Sequence, residues 1–566
     1  MAASRGVWCF LVSCVIVVLL GVTVTLLLVL RPQRTGCYGG FLHGAVAADS
    51  AVCSSIGRDI LKQGGSPVDG AIAALLCTSV MHPQSMGLGG GVIFTIYNAS
   101  TGKVEVINAR ERVPSRIIPD FMEHCTRGGS MKLGVQWIGV PGELRGYEAA
   151  HQRHGRLPWK TLFEPTIKLV KEGLKVQPVL SKYLEYNLIK KLLQNSSVCQ
   201  LFCKDGEVLK YGDAVNFTQL GQTLSTVADE GADAFYQGII AEKMLKDLQA
   251  QGSSLTLDDF KNYKVEIVKA LNLSLGDYTF YTAPPPAGGA LLSFILNVLA
   301  GYHFSANSME DDNARIETYH KIAEAFKFAN GQKARLVESL KTRNINEFTA
   351  SLLSQSFAQN IRGRIRSFGN NSLSYYDVSV PHLDTYGTSH LSVISSDGSS
   401  VSVTSSINLI FGSMVYSPST GIIFNNQLAD FCSIYPKNQT PNEGEHPPSF
   451  MSPSILLSHN TKSQLVIGGS GGSMITSATA LAIMNKLWFG LNLTEAITTP
   501  ILHVVNGTKL TFEPSFNKAV QRGLQERGHQ LEVNPFFMNV VQGVSQEGVC
   551  LFAHSDHRKM GKATGY

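Results

Sequence analysis

The sequence predicts an α+β protein in which helices pack on sheets of hairpin-connected strands. Helical apolar spacing and strand-like alternation are interleaved along the chain, and neighbouring strands are joined by short turns rather than long crossovers. With 566 residues, 44% apolar and 16% charged, the chain can bury a substantial core. Lys plus Arg number 48 against 43 Asp plus Glu, a net charge of +5 with no run of five like charges. Nothing concentrates positive charge as a nucleic-acid footprint requires. No fixed-period repeat points to a solenoid or a coiled coil.

Val7 to Leu30 reads VWCFLVSCVIVVLLGVTVTLLLVL, without a charge. A helix of that length crosses the ~30 Å hydrocarbon core of a bilayer. It exceeds the about 7–15 apolar residues of a cleaved signal peptide, and Arg31, Pro32, Gln33 and Arg34 offer no small-residue cleavage site. The expectation is a transmembrane signal anchor over residues 7–30, with a cytoplasmic tail over 1–6. Arg5 on one side and Arg31 and Arg34 on the other leave the orientation open on charge alone. The sequons decide it: Asn98, Asn195, Asn216, Asn272, Asn370, Asn438, Asn492 and Asn506 each begin an N-x-S/T triplet without proline at x. They imply an extracellular body on a single-pass type II plasma-membrane protein, with one or two sequons buried and unused.

Of the ten cysteines, Cys9 and Cys14 lie in the anchor. In an oxidising compartment CQLFC, Cys199 to Cys203, reads as a small disulfide loop, and no second close Cys or His pair completes a zinc site. Cys53 and Cys77 bracket an amphipathic stretch and form a candidate second bridge. Spacing leaves the pairing of Cys37, Cys125, Cys432 and Cys550 open. No metal is expected.

After a stalk over 31–45, Asp59–Gly64 and Val68–Val80 have helical spacing, broken by the GGSP turn. Gly91–Tyr97 and Lys103–Asn108 read as two strands around a turn. Residues 140–250 are mostly helical in pattern. The proline-rich loop Ala283–Ala290 leads into an apolar helix near Leu291, and helical periodicity returns at His320–Phe328. From Ser389 the pattern switches to strands: SHLSVIS and SSVSVTSSI flank Asp397-Gly398, a strong hairpin signal. Leu465–Ile467, Leu510–Glu513 and Val549–Ala553 read as further strands, and the glycine-rich Gly468–Ser473 opens a helix running to Trp488.

A two-residue turn at Asp397-Gly398 sets Thr388 opposite Ile407, with Ser406 and Asn408 as diagonal neighbours at ~7–8 Å. Thr388 is thereby ringed by polar side chains at the mouth of a strand. A threonine hydroxyl is a weak nucleophile, but a cut between Gly387 and Thr388 would free an α-amine on the same residue to act as its base.

GTSHLSV (Gly387–Val393), TSSINLIFG (Thr404–Gly412), NNQLAD (Asn425–Asp430) and GGSGGS resemble the gamma-glutamyltransferases, also called glutathione hydrolases. MGLGGGVIFTIYN (Met86–Asn98), VINARE (Val106–Glu111), GVPGELRGY (Gly139–Tyr147) and PPPAGG (Pro284–Gly289) do so too, and the resemblance runs from about residue 42 to the final GY. MVYSPSTGI (Met414–Ile422) and SQEGVC (Ser545–Cys550) are most similar to the leukotrienase branch of that family. The resemblance implies a four-layer αββα N-terminal-nucleophile hydrolase. It implies a precursor that cuts itself between Gly387 and Thr388 into a large subunit, 31–387, and a small catalytic subunit, 388–566. Thr388 would attack the γ-glutamyl amide of glutathione or of a conjugate such as leukotriene C. Water, an amino acid or a dipeptide would take the acyl group, with no cofactor.

The resemblance also implies roles for single residues. Arg110 matches the grip on the substrate α-carboxylate, in competition with a plain ion pair to Glu111. Asn408, Gln427 and Asp430 match the group around the α-ammonium, and Ser449 matches a serine of the carboxylate pocket. Gly471 and Gly472 match an oxyanion hole, and Ser406 stands beside the nucleophile. Cys53–Cys77 and Cys199–Cys203 match the family's two large-subunit disulfides. Two departures stand out. Gln427 replaces a glutamate found in many animal relatives, and Phe450 replaces the second of two adjacent serines.

Two rival readings compete. Gly468–Gly472 matches G-x-S-x-G with Ser470 at its centre, but Asp556 and His557 are poorly ordered as triad partners. The other rival is a catalytically weak or inactive membrane-anchored ectodomain that serves as a binding module, which Phe450 would favour.

Overall fold

Two antiparallel sheets lie face to face in the computed structural model, which describes residues 37–125, 132–342, 344–378, 387–433, 439–533 and 540–566. The anchor segment 7–30, the tail 1–6 and Asn438 lie outside the described residues. Among the described residues no helix is long and apolar enough to cross a membrane. The elements below belong to one unit, Gly40–Tyr566.

The strands of the two sheets are β1 (Ala45–Ala47), β2 (Gly91–Asn98), β3 (Lys103–Ala109), β4 (Glu266–Lys269), β5 (Leu271–Leu275), β6 (Tyr278–Thr282) and β7 (Ser389–Ile394). They continue with β8 (Ser400–Ser406), β9 (Ser454–Ser458), β10 (Gln464–Ser470), β11 (Val540–Glu547), β12 (Cys550–Ser555) and β13 (Thr564–Gly565). The first sheet runs β13-β1-β7-β8-β2-β3-β4 and the second β12-β11-β10-β9-β6-β5.

Alternation along the strands sorts side chains between two burial environments. From the first sheet, Val46, Phe94, Leu391, Val393, Val401 and Val403 point outward to the helices α1 (Ala51–Lys62) and α2 (Pro67–Met81). Ser66 caps α2, accepting from the Asp69 amide while Asp69 accepts from Ser66 in return. The second sheet packs Phe280, Leu456, Leu465, Ile467 and Val541 against α3 (Gly289–Ala300), α4 (Asp312–Lys341) and α5 (Ile475–Leu487). Between the sheets lies a thinner apolar cluster of Ala45, Ala47, Ile394, Ile455, Val466, Val544 and Leu551. Helix, sheet, sheet, helix is the αββα order.

The polar halves of β7 and β8 face this inner layer instead of water. His390 bonds Thr404 at 2.8 Å and Ser392 at 3.1 Å, and the Ser402 hydroxyl donates to the Ile467 carbonyl at 3.0 Å. Burial pushes the His390 imidazole down to about 3, so it sits there neutral.

The hairpin register differs from the expectation by one residue. Ser389 pairs with Ser405 and Ile394 with Ser400, leaving a three-residue loop at 396–398. Asp397 causes this: its Oδ1 accepts from the Ser395 hydroxyl at 2.6 Å and from the Ser399 amide at 2.9 Å. Gly398 then takes the left-handed position, φ +81°, that closes such a loop. Extending the ladder sets Thr388 directly opposite Ser406.

Both disulfides implied by the resemblance are present, and Cys125–Cys432 is a third. Of the sequons, Asn195, Asn216, Asn272, Asn370, Asn492 and Asn506 are exposed and Asn98 is half-buried. None of the described sequons is fully buried, contrary to the expectation. The GLGGG segment packs backbone on backbone: a β-carbon on Gly90 would collide with the Ser406 carbonyl oxygen. Gly90→Ala is expected to cost about 1–3 kcal/mol, read as a lower thermal midpoint; an unchanged midpoint would contradict this packing.

Candidate active site

Thr388 ends the loop leading into β7 and is 4% exposed. Its Oγ1 lies 3.0 Å from Ser406 Oγ, and its backbone N–H donates to the Ser85 carbonyl at 3.0 Å. Ser406 Oγ also accepts from the Asn408 amide at 2.9 Å. Thr388 has φ +95°, a conformation that a β-branched residue rarely adopts. A β-carbon on Gly387 would strike the Asn408 carbonyl oxygen, so glycine is the residue that fits before Thr388.

Asn408 links this pair to a second group. Its Nδ2 donates to Asp430 Oδ1 at 2.9 Å, and Asp430 Oδ2 accepts from Arg110 Nη2 at 2.9 Å. Arg110, 2% exposed, also donates to Gln427 Oε1 at 2.8 Å and to the carbonyls of Pro447 at 3.0 Å and Pro448 at 2.8 Å. Ser449 follows those carbonyls directly; its own hydroxyl accepts from the Met451 amide. The Arg110–Glu111 ion pair is present too, at 3.6 Å, but both groups are buried. Burial pushes Asp430 up to about 6, opposed by Arg110 and Asn408. It pushes Glu111 up to about 7, opposed chiefly by Arg110.

On the far side of Thr388, β10 ends at Ser470 and turns through Gly471 (φ +120°) and Gly472 (φ +60°) into α5. Lys559 ties this turn to the nucleophile candidate. Its ammonium donates to the Thr388 carbonyl at 2.6 Å, to Ser470 Oγ at 3.2 Å and to Asp49 Oδ2 at 2.8 Å. Thr388, Ser406, Asn408, Asp430, Arg110 and Gln427 thus share one hydrogen-bonded network, with Ser449 and the glycine turn at its edges. Ser85, Lys559 and Asp49 were absent from the sequence reading. A lysine in the run HRKMGK looks like a solvated terminus, and only the tertiary pairing with Asp49 gives it away. The rival triad does not form: Ser470 is held by Lys559, whereas Asp556 accepts from Arg558 and the Val541 amide.

The family model for gamma-glutamyltranspeptidase matches residues 53–566. The chain belongs to the gamma-glutamyltranspeptidase family. It is 50% identical over 546 residues to the human protein named glutathione hydrolase 5 proenzyme, covering 93% of each chain. It is likewise 50% identical over 565 residues to the protein of that name from Mus musculus, covering 98% of this chain and 99% of the mouse protein. Among solved structures, cephalosporin acylase from Bacillus halodurans superposes with a TM-score of 0.79 at 24% identity, over 95% of this chain and 98% of that one. That likeness shows the fold.

This gamma-glutamyltranspeptidase sets two carboxylates, Glu111 buried and Asp430 half-buried, against one buried guanidinium, which gives its stability a signed pH dependence. Glu111 holds its proton more tightly folded than unfolded, so the folded state loses relative stability as pH rises through the carboxylate range to about 7. Glu111→Gln carries no such proton. Its urea midpoint relative to the unsubstituted protein should climb between about pH 5 and 7 and then level off; a constant difference would refute the assignment.

Proposed function

We propose that the chain is a glutathione hydrolase and gamma-glutamyl transpeptidase whose nucleophile is Thr388, freed by a cut after Gly387. The observation that carries this reading is the Thr388–Ser406 hydroxyl pair, at 3.0 Å, joined through Asn408 to the Arg110–Asp430 ion pair. The proenzyme names of the mammalian relatives support the cut. In the uncut chain the Thr388 hydroxyl lies next to the Gly387 carbonyl, and its attack would turn that amide into an ester that water can open.

After the cut the α-amine takes the place of the Thr388 amide, and the Ser85 carbonyl orients it. Its lone pair accepts the Oγ1 proton as Oγ1 attacks the γ-glutamyl carbonyl carbon. Ser406 donates to Oγ1 as charge gathers there. Gly471 and Gly472 offer backbone N–H groups at a strand-to-helix turn to the oxyanion that forms. The amine then passes its proton to the departing amine, and water or an acceptor amine opens the acyl ester.

An α-amino acid head carries a carboxylate beside an ammonium. Arg110 and Asp430 present the complementary pair, so binding exchanges an internal ion pair for two external ones. The guanidinium fork suits a carboxylate. Asp430 and the side-chain oxygens of Asn408 and Gln427 suit an ammonium with three donors. Gln427 brings no charge of its own, and the Phe450 ring lies under Lys333 Nζ at 4.6 Å instead of offering a hydroxyl. The uncharged anchor segment, the exposed sequons and the disulfides support an extracellular, glycosylated, membrane-anchored enzyme.

Thr388→Ala should stop both the cut, read on a reducing gel, and release of amine from a γ-glutamyl anilide. A variant that still does either would overturn the nucleophile. Arg110→Lys keeps the charge but loses the fork, and kcat/KM for the same donor should fall by about tenfold or more; an unchanged value would remove Arg110 from substrate binding.

A further inference from the structure

Cys125 and Cys432 are 307 residues apart in sequence, with Cα atoms 5.2 Å apart, and they lie on opposite sides of the Gly387–Thr388 bond. Cys53–Cys77 and Cys199–Cys203 close loops before that bond, and Cys37 and Cys550, one on each side of it, are disulfide-bonded as well. Cys432 belongs to the single 3-10 stretch Gln427–Ser433, which also carries Gln427 and Asp430. That stretch has two faces. Gln427 and Asp430 meet Arg110, whereas Leu428 and Phe431 enter a small apolar cluster with Val113, Phe121, Met122 and Trp137. The disulfide lies at the edge of this cluster, behind the substrate-binding face. Four of the cluster's residues come from the first part of the chain and two from the second.

We propose that Cys125–Cys432 is an interchain bond in the mature protein and that it holds the Gln427–Asp430 turn in register with Arg110. The first half rests on the reading that the chain is cut after Gly387. A seven-residue 3-10 stretch has poor hydrogen-bond geometry and few internal bonds, so its position is set by what anchors its back. Here the anchors are a six-residue apolar cluster and one covalent bond. Releasing the bond lets the acceptors for the substrate ammonium move relative to the guanidinium. Thr388 and Ser406, fixed by the sheet, stay where they are. The cost therefore falls on donor binding more than on chemical turnover. Cys125 and Cys432 are positioning residues in this scheme, since neither touches the reacting atoms.

The full-length protein, alkylated with iodoacetamide and run on denaturing gels, tests the first half. Run on the Cys37→Ser variant, so that no disulfide of Cys37 can link the fragments, two fragments with dithiothreitol and one band of full mass without it are expected. Two fragments in the absence of reductant would overturn the interchain bond. A single band under both conditions would instead overturn the cut. In that event mass mapping of a non-reduced digest still decides the bond: a linked Cys125–Cys432 peptide supports it, and two alkylated cysteines refute it. For the second half, Cys432→Ser and Cys125→Ser should each raise KM for a γ-glutamyl anilide about tenfold while kcat stays within about threefold. Mild reduction of the unsubstituted protein by dithiothreitol, two electrons and two protons giving two thiols, should reproduce that split. Loss of kcat at unchanged KM, or no change in either, would overturn the positioning role.

Discussion

The hydrogen bond between Thr388 Oγ1 and Ser406 Oγ is the interaction on which the rest of the site depends, and it exists because of a hairpin register. A one-residue slip would replace Ser406 with Ile407 opposite the threonine and turn the hydroxyl away. The register is fixed at both ends of the hairpin. At the tip, Asp397 gathers Ser395 and Ser399; at the mouth, the Ser85 carbonyl accepts from both Thr388 and Ile407. The strands between are central in their sheet, with β1 on one side and β2 on the other. Neither can shift without breaking two ladders. A rigid scaffold of this kind is what precise placement of a reacting hydroxyl requires.

Around that fixed point the protein arranges charge economically. One guanidinium, Arg110, is shared by two carboxylates and two proline carbonyls; Arg110 and Glu111 are buried and Asp430 half-buried. A buried charge is tolerated when its donors are satisfied, and here the partners come from three separate stretches of chain. The Asp430 carboxylate connects this cluster to Asn408 and so to Ser406. The proposed recognition and catalytic groups are therefore coupled through a single asparagine held at φ +75°. On the opposite flank Lys559 does similar work, joining the Thr388 carbonyl to the end of β10 and to Asp49.

Local periodicity made much of this legible. The helix at 67–81, the strand pair at 91–109 and the hairpin after Thr388 follow from apolar spacing and turn residues, whereas the first helix starts at Ala51, eight residues before the Asp59 that the spacing marks. The register did not, because Asp-Gly signals a two-residue turn and only the side-chain bonds of Asp397 reveal a three-residue one. The serines and threonines of β7 and β8 alternate with apolar residues, and nothing in that pattern shows that a second sheet covers them. Arg110 and Asp430 are 320 residues apart, so family resemblance rather than any spacing rule brought them together. Cys125–Cys432 escaped both routes, since neither separation nor motif distinguishes it from other pairings of the same cysteines.

The backbone of Thr388 has a consequence for the direction of the proposed processing. A φ of +95° in a β-branched residue stores on the order of 1–3 kcal/mol. That torsion is defined by the carbonyl carbon of Gly387, so it ceases to exist once the bond before Thr388 is broken. The proposed scission there would discharge a loaded spring, and rejoining the ends would mean winding it again. If the proposed cut is made, the geometry that makes the hydroxyl available to its neighbour would also work as a ratchet, biasing the protein toward the two-chain form.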